Sequence, residues 1–310
     1  YWQIRHQKSI SNWKIVSIYY DPSMYKSTVV RTLFVLTSLV VITIILMPFI
    51  LKSLGLHPDY EGRSFNLEGK KALIVSTSHG ILNYPDEISG KPSGLASSEL
   101  TAPYYEFIDA NIKVDIASIK GGKIPVDPQT TSYFIRSSSD KRFYKDAKAT
   151  DKLNNSMNVE EVDFKEYDIV FLSGGWGAAY DLGFSDVLAS GISEAYYSGS
   201  MIGAICHGPL GLINAKDKNG NILIANRKMT GVTDKQVKEL GIQMTPQHPE
   251  EELKKAGVIF EAKTGFRDLF ANHVVVDDER RFVTGQNQNS GHEIAQKIME
   301  IIEETSWINF

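Results

Sequence analysis

The chain is poorest in cysteine: Cys206 is the only one among 310 residues. A single thiol excludes any disulfide within the chain and gives no indication of the redox compartment. The spacings CxxC and HExxH are also absent, and the seven histidines are scattered along the sequence. A structural metal site is therefore not expected.

An excess of basic residues is lacking as well. Lys and Arg number 33 against 37 Asp and Glu, so the formal net charge is -4. No Lys/Arg cluster interleaved with aromatic residues occurs, and we expect no nucleic-acid partner. With 42% hydrophobic and 23% charged residues, and without internal repeats or low-complexity tracts, the composition is that of an ordinary globular protein.

Charge is missing altogether from residues 32–51, which read TLFVLTSLVVITIILMPFIL. Twenty residues in a helix are enough to cross a hydrocarbon core of about 30 Å. The few polar residues form no polar face of the kind a buried core helix would have. The run is also too long for the apolar part of a cleaved signal peptide, and no small-residue cleavage site follows it. The sequence predicts a transmembrane helix over 29–52, after an N-terminal tail over 1–28.

The charges that flank this run are slightly asymmetric. The basic residues before it outnumber the single preceding acid, and they are Arg5, Lys8, Lys14, Lys26 and Arg31. The basic residues after it are mixed with acids, since Lys52, Arg63, Lys70 and Lys71 stand among Asp59, Glu61 and Glu68. The positive-inside rule then predicts a single-pass protein with a cytoplasmic N-terminus and an extracytoplasmic C-terminal domain. Because the asymmetry is small, a cytoplasmic domain stays an alternative.

After a polar linker over 53–68, short apolar runs alternate with amphipathic stretches. The runs at 71–76, 113–119, 168–172 and 202–205 predict buried strands, and residues 97–110 predict a helix. Strands that alternate with helices indicate a largely parallel sheet covered on both faces, which is an α/β fold over 69–310. Further predictions are a cap insertion over 129–166, a loop and helix over 229–240, a helix over 249–256, a hairpin over 273–284 and a closing helix over 294–302.

Cys206 stands between the apolar run 201–205 and a Gly-Pro pair that opens a helix. Such a sharp turn from strand to helix would present the thiol at the head of the helix, where N–H groups favour a thiolate. Gly174 and Gly175 end another predicted strand, and ligands of parallel sheets bind beyond such carboxyl ends. The pattern indicates a nucleophile, although an inert buried cysteine is the common alternative.

Residues 69–305 resemble the PfpI superfamily of class I glutamine amidotransferase-like proteins, in the branch of heat-shock holding chaperones and glutathione-independent glyoxalases. The matching strings occur in the family's order at 93–105, 117–122, 168–175, 204–209 and 283–287. The resemblance implies a flavodoxin-like parallel sheet sandwiched by helices, with a nucleophile elbow at the cysteine and a homodimer as the usual assembly. The membrane helix lies outside the resemblance.

The resemblance also implies roles for particular residues. Cys206 is the implied nucleophile, and Glu99 is the buried acid that shares its proton, with the carboxyl pKa raised and the thiol pKa lowered. His207 is the implied base. For the carboxylate that orients it, Asp234 fits one sub-branch, while Val237 occupies the position where other members carry glutamate; Glu239 is a substitute if it turns inward. Either acid could instead be a helix cap or a solvated charge.

Backbone N–H groups of Gly175 and His207 are the implied oxyanion hole, with Gly174 beside them for close approach of the main chain. Two features depart from the family. Trp176 stands where a small or imidazole residue is common, so we expect an indole in the pocket wall. Gln288-Asn289 stands where proline and alanine are usual.

The implied activity is conversion of a small dicarbonyl, methylglyoxal, to lactate through a thiol adduct, without a metal or an organic cofactor. Hydrolysis of a small amide or peptide is an alternative on the same residues. A different class is a stress chaperone or redox sensor that binds unfolded clients and uses an oxidisable Cys206. A weaker alternative is an inactive domain held at a membrane surface.

Overall fold

The structure is a computed structural model that describes residues 2–6, 16–20, 22–84, 87–242 and 244–308. It consists of two units, residues 1–50 and 51–310, and each is described by itself.

The first unit holds a short antiparallel hairpin, Trp2–His6 with Val16–Tyr20, and most of helix α1 (Pro22–Ser53). The helix begins seven residues before the predicted span. Its segment Lys26–Ser53 is long and apolar enough to cross a membrane, and none of its most apolar window is buried. The Thr43 hydroxyl donates to the Leu39 carbonyl at 2.8 Å, which satisfies this polar side chain inside the helix. A buried core helix would instead cover these side chains.

The second unit is built on a seven-stranded sheet. Its strands in chain order are β1 (Lys71–Ser76), β2 (Lys113–Ser118), β3 (Met157–Asn158), β4 (Ile169–Leu172), β5 (Met201–Ile205), β6 (Val274–Val276) and β7 (Phe282–Gly285). Their spatial order is β6-β7-β5-β4-β1-β2-β3. All neighbours are parallel except β6 and β7, which form the predicted hairpin. The prediction of a mainly parallel sheet is confirmed.

Helices cover both faces of this sheet. They are α2 (Ser98–Asp109), α3 (Ser138–Phe143), α4 (Ala147–Asn154), α5 (Ala178–Asp181), α6 (Asp186–Ser198), α7 (Asp234–Glu239), α8 (Pro249–Lys255) and α9 (Gly291–Ile308). Short 3-10 turns occur at Val159–Glu161, Phe164–Glu166, Leu182–Phe184, Gly208–Leu212, Asp268–Phe270 and Gln288–Ser290. Two-residue ribbons pair Ile81–Leu82 with Lys91–Pro92, and Lys228–Met229 with Ile259–Phe260.

The alternation of side chains along β1 shows how the two faces are filled. Ala72 and Ile74 belong to the apolar cluster that includes side chains of α2 and α9. Leu73 and Val75 belong to the opposite cluster, which includes side chains of α6. Because successive side chains of a strand point to opposite faces, a strand buried on both sides has to be apolar throughout. This is why the central strands read as continuous apolar runs.

The segment expected as a linker, 53–68, contributes buried side chains to the second unit. Leu56, Phe65 and Leu67 are each less than 10% exposed. The Leu67 N–H donates to the Ala110 carbonyl at 2.8 Å. Residues near the end of α1 are therefore part of the packed unit.

The segment expected as a cap, 129–166, supplies α3, α4 and the edge strand β3. Asp140 of α3 is fully buried. Its carboxylate accepts hydrogen bonds from the hydroxyls of Ser97 (2.6 Å), Thr101 (2.7 Å) and Ser137 (2.8 Å). Since Ser97 and Thr101 lie at the start of α2, Asp140 ties this segment to the helix that carries Glu99.

Candidate active site

Cys206 lies in the turn between β5 and the 3-10 helix Gly208–Leu212, with φ +59°. This left-handed conformation costs a non-glycine residue roughly 1–2 kcal/mol. The turn is held by two 2.9 Å hydrogen bonds, from the Cys206 N–H to the Gly285 carbonyl and from the Val232 N–H to the Cys206 carbonyl. A Cβ on Gly208 would lie 2.2 Å from the Leu172 carbonyl oxygen, so the turn needs glycine there. The predicted strand-to-helix turn is present.

Glu99 lies in the first turn of α2 and is 1% exposed. Its carboxyl faces the Cys206 thiol and the N–H groups of Gly174 and Gly175. Oε2 has no partner of good hydrogen-bond geometry among the described residues. A Cβ on Gly174 would lie 2.5 Å from this oxygen, so glycine leaves the space that the acid fills. The structure thus brings Glu99 and Cys206 together.

Burial raises the pKa of Glu99 to about 8, although the thiol and the N–H groups of Gly174 and Gly175 oppose the shift. Burial also raises the pKa of the Cys206 thiol well above its ordinary range, and ionisation of Glu99 would raise it further. The structure agrees with the expected increase in the pKa of the Glu99 carboxyl. The expected decrease in the pKa of the Cys206 thiol is wrong. Near neutral pH both groups keep their protons, so the thiolate has to form during the reaction.

His207 can accept the thiol proton, since its Nδ1 lies 3.3 Å from the Cys206 sulfur. Burial lowers the pKa of His207 to about 3, and the positive charge of His248 is a further cause. The imidazole is therefore neutral, and Nδ1 can accept a proton when Nε2 carries the ring hydrogen. Nε2 has no hydrogen-bond partner in the described part of the chain.

Asp234 begins α7, and its carboxylate lies 3.4 Å from Nδ1 of His248. Glu239 instead accepts the N–H of Asp268 at 2.8 Å, and Val237 is buried in the core. Because Nε2 of His207 is unpartnered among the described residues, neither acid completes a triad with His207. Asp234 lies against His248 instead, and His248 is the residue that in turn lowers the pKa of His207. No local sequence signal marks His248, because its chain position is remote from Cys206.

Gly175 has φ +95°, and a Cβ there would lie 2.3 Å from the Gly94 carbonyl oxygen and the Ala96 nitrogen. The N–H groups of Gly175 and His207 are directed at the Cys206 sulfur. They can therefore stabilise negative charge on the sulfur, or on an oxygen bound next to it. These are the two groups expected to form the oxyanion hole.

A cavity of about 160 Å³ opens over the thiol. It is lined by Leu56, Ala96, Ser98, Glu99, Asp127, Gln129, Thr130, Ile135, Gly175, Trp176, Cys206, His207, Val232, Gln236, Leu240, Leu269 and Gln288. This volume is well below the roughly 300–1,000 Å³ of pockets for drug-sized ligands. Trp176 forms part of the wall as expected, with its ring centroid 4.6 Å from that of His207. Sequence reasoning missed most of the other lining residues, Leu56, Ile135 and Gln236 among them, because no motif marks them.

Among the described residues, no group of three or more His, Cys, Asp or Glu side chains is placed to hold a metal ion. The groups that surround the thiol are a protonated carboxyl, a neutral imidazole and backbone N–H groups. Together they can donate a proton, accept a proton and stabilise negative charge beside the sulfur.

Replacing Glu99 by glutamine should remove the part of the pH dependence of stability that comes from the raised pKa of this carboxyl. The folded-state pKa is about 8, whereas the unfolded chain loses this proton near pH 4.3. Between these values the folded protein holds a proton that the unfolded chain has released, so the free energy of unfolding falls as pH rises. Urea unfolding of the purified protein at pH 5 and pH 8 measures this as a difference: the change in the free energy of unfolding between the two pH values should be more negative in wild type than in Glu99→Gln, by up to about 4 kcal/mol. The lowered pKa of His207 acts in the opposite direction below about pH 6.5, but it is common to both proteins and cancels in the difference. Parallel behaviour of the two proteins would contradict the raised pKa.

The DJ-1/PfpI family matches residues 92–301 of the chain. The glutathione-independent glyoxalase hsp3102 of Schizosaccharomyces pombe is 28% identical over 244 residues, covering 74% of this chain and 96% of that protein. Among solved structures, the Rapid Encystment Protein 24 KDa of Francisella tularensis is 33% identical with a TM-score of 0.68, covering 74% and 98% of the two chains. Glyoxalase III of Candida albicans is 26% identical with a TM-score of 0.63, and the match covers 74% of this chain and 96% of that chain.

Proposed function

The chain belongs to the DJ-1/PfpI family, and from this premise we propose that it is a glutathione-independent glyoxalase that converts methylglyoxal to lactate. The observation that carries the proposal is the placement of Glu99 and His207 against the Cys206 thiol in one small cavity. One carboxyl holding a proton and one neutral imidazole are the acid and base that this isomerisation needs. The glyoxalases of Schizosaccharomyces pombe and Candida albicans support the same reaction class.

In the proposed first step, the Cys206 sulfur attacks the aldehyde carbon. The C–S bond forms, the electron pair of the C=O π bond moves to oxygen, and Nδ1 of His207 takes the thiol proton. Glu99 donates its proton to the new alkoxide, while the N–H groups of Gly175 and His207 stabilise the developing charge. The product is a neutral hemithioacetal.

In the second step, the Glu99 carboxylate removes hydrogen from the former aldehyde carbon. The electron pair forms a C=C bond, and the imidazolium of His207 protonates the ketone oxygen, which gives an enediol. Glu99 then returns its proton to the neighbouring carbon while His207 takes the hydroxyl proton, and a thioester results. One carbon is oxidised and the other reduced by two electrons, so no external oxidant is required.

Hydrolysis completes the cycle. Water adds its oxygen to the thioester carbon, the C–S bond breaks, and the sulfur receives the proton held by His207. The second proton of water returns to Glu99, which restores the starting state and releases lactic acid. The raised pKa of Glu99 allows it to take back this proton and to donate it in the first step of the next cycle, whereas an ordinary carboxyl would have no proton to give at neutral pH.

The test is turnover by the purified 310-residue chain in detergent, without glutathione. Methylglyoxal consumption and lactate formation are followed together, and one lactate is expected for each methylglyoxal lost. Loss of methylglyoxal without lactate would indicate simple adduct formation and would overturn the proposal. Suppression of client aggregation with no dicarbonyl turnover would favour the chaperone or redox-sensor alternative, and cleavage of a small amide would favour the hydrolase.

We further propose that α1 crosses a membrane once. The length of Lys26–Ser53, its apolar composition and the exposure of its side chains support this. The flanking charges favour a cytoplasmic N-terminus and an extracytoplasmic catalytic unit, and a homodimer is the expected assembly. Protease added to intact cells should digest the catalytic unit, whereas protection until lysis would place it in the cytoplasm.

A further inference from the structure

One wall of the cavity comes from a segment that lies outside the family match. Leu56 is 3% exposed and lines the cavity with Cys206. It stands three residues after the end of α1. The family match begins only at residue 92, so this wall belongs to the part of the chain that joins the apolar helix to the catalytic unit.

Residues 55–57 are held in place from three sides. The His57 N–H donates to Oδ1 of Asn289 at 2.8 Å. Nε2 of the His57 imidazole lies 2.8 Å from the Ile135 carbonyl oxygen, to which it can donate a hydrogen bond. Gly55 has φ +106°, and a Cβ there would lie 3.0 Å from the Phe270 carbonyl oxygen. Leu56 therefore lies between a histidine that is hydrogen-bonded to two remote segments and a glycine that packs closely against a third.

Asn289 is one of the two residues that depart from the family string, and its side chain supplies the anchor for His57. The other, Gln288, lines the cavity and donates to the Leu269 carbonyl at 2.9 Å. Alanine in place of Asn289 would remove the acceptor for the His57 N–H. The departure from proline and alanine thus coincides with the docking of residues 55–57.

Among the described residues, the cavity lining carries acids and no basic side chain that would balance a substrate carboxylate. Of its charged or chargeable groups, Glu99 and Asp127 are carboxyls, and His207 is neutral. The Asp127 carboxyl accepts the Ser93 hydroxyl and the Gln129 N–H, each at 2.9 Å. Since Glu99 holds its proton, an anionic substrate would meet the carboxylate of Asp127 without a counterion in a desolvated space.

We propose that Leu56 is a specificity-determining residue that limits the substituent R of the substrate R–CO–CHO. The pocket takes uncharged 2-oxoaldehydes with a small apolar R and discriminates against anionic oxo compounds. This inference rests on the proposed glyoxalase function. The aldehyde carbon reacts at Cys206, and R lies against the apolar wall to which Leu56 belongs.

The experiment compares wild type, Leu56→Ala and the control Leu54→Ala in the full chain. Leu54 is two residues away and 57% exposed. Truncation of Leu56 should raise the ratio of kcat/KM for phenylglyoxal to that for methylglyoxal by about tenfold or more, because it removes a side chain that excludes the larger R. Leu54→Ala should keep the wild-type ratio. An unchanged ratio in Leu56→Ala, or an equal change in both variants, would overturn the role of Leu56.

A second readout does not depend on turnover. Since Cys206 is the only cysteine, thiol alkylation reports on this cavity alone. The rate with N-phenylmaleimide relative to iodoacetamide should rise severalfold in Leu56→Ala and stay constant in Leu54→Ala. If wild type turns over no dicarbonyl, the proposed function fails, and this ratio still decides whether Leu56 restricts the cavity.

The proposed discrimination against anionic oxo compounds is tested with glyoxylate as a competitive inhibitor of methylglyoxal turnover. Its inhibition constant should exceed the KM of methylglyoxal by at least about tenfold, because no cation in the described lining faces its carboxylate. Inhibition at or below that KM would overturn the discrimination against anions.

Discussion

Replacement of Cys206 by serine is expected to lower kcat/KM for methylglyoxal by at least about a thousandfold, or roughly 4 kcal/mol in transition-state free energy. The hydroxyl is a far weaker nucleophile than sulfur at neutral pH. No other cysteine is present to replace the thiol. Serine is close in volume to cysteine, so the turn that Gly208 and Gly285 surround should keep its conformation.

Lactate formation measures this effect, and circular dichroism with thermal unfolding shows whether the variant is folded. A folded serine variant that retains a tenth of wild-type activity would show that the reaction proceeds without a thiol adduct. The covalent route through the hemithioacetal and thioester would then be wrong.

Replacement of His207 by asparagine should lower kcat by about 10²- to 10³-fold with little change in KM. Nδ1 lies 3.3 Å from the Cys206 sulfur, and an amide in its place can accept a hydrogen bond but cannot take the proton. The loss should therefore appear in the chemical step. Stopped-flow measurement of methylglyoxal consumption over a range of concentrations separates kcat from KM.

Asp234→Asn is the matched comparison, because Asp234 was the acid expected to orient His207. Its carboxylate lies against His248 rather than His207, so kcat should change by less than about threefold. A loss as large as that of His207→Asn would show that Asp234 acts on the imidazole through His248, as a full triad would. The distinction separates a Cys-Glu-His site from the triad that the resemblance implies.

The raised thiol pKa is the point at which sequence reasoning about the site failed. A cysteine at the head of a helix suggests a thiolate, because N–H groups stabilise the anion. The backbone N–H groups of Gly175 and His207 do lower the pKa of the Cys206 thiol. However, the following 3-10 helix has only five residues, and burial beside an acid has the larger effect. The near-complete burial of both groups is a property of the packing and is not visible in the local pattern.

By itself, the sequence determined the parts of the protein that depend on local pattern. The apolar runs at 71–76, 113–119, 168–172 and 202–205 predicted four central strands. The single cysteine between a strand and a Gly-Pro pair predicted the turn at Cys206. These features are readable because strand burial and turn geometry depend on residues within a few positions of one another.

Only the tertiary structure decided which distant side chains share the cavity. It placed Leu56 in the wall of the cavity that Cys206 also lines, directed Asp234 to His248, and docked His57 on Asn289, which is 232 residues further along the chain. Such contacts are selected by how helices and loops pack around the sheet. Periodicity specifies the face that each element buries, but it carries no information about which remote side chain lies opposite.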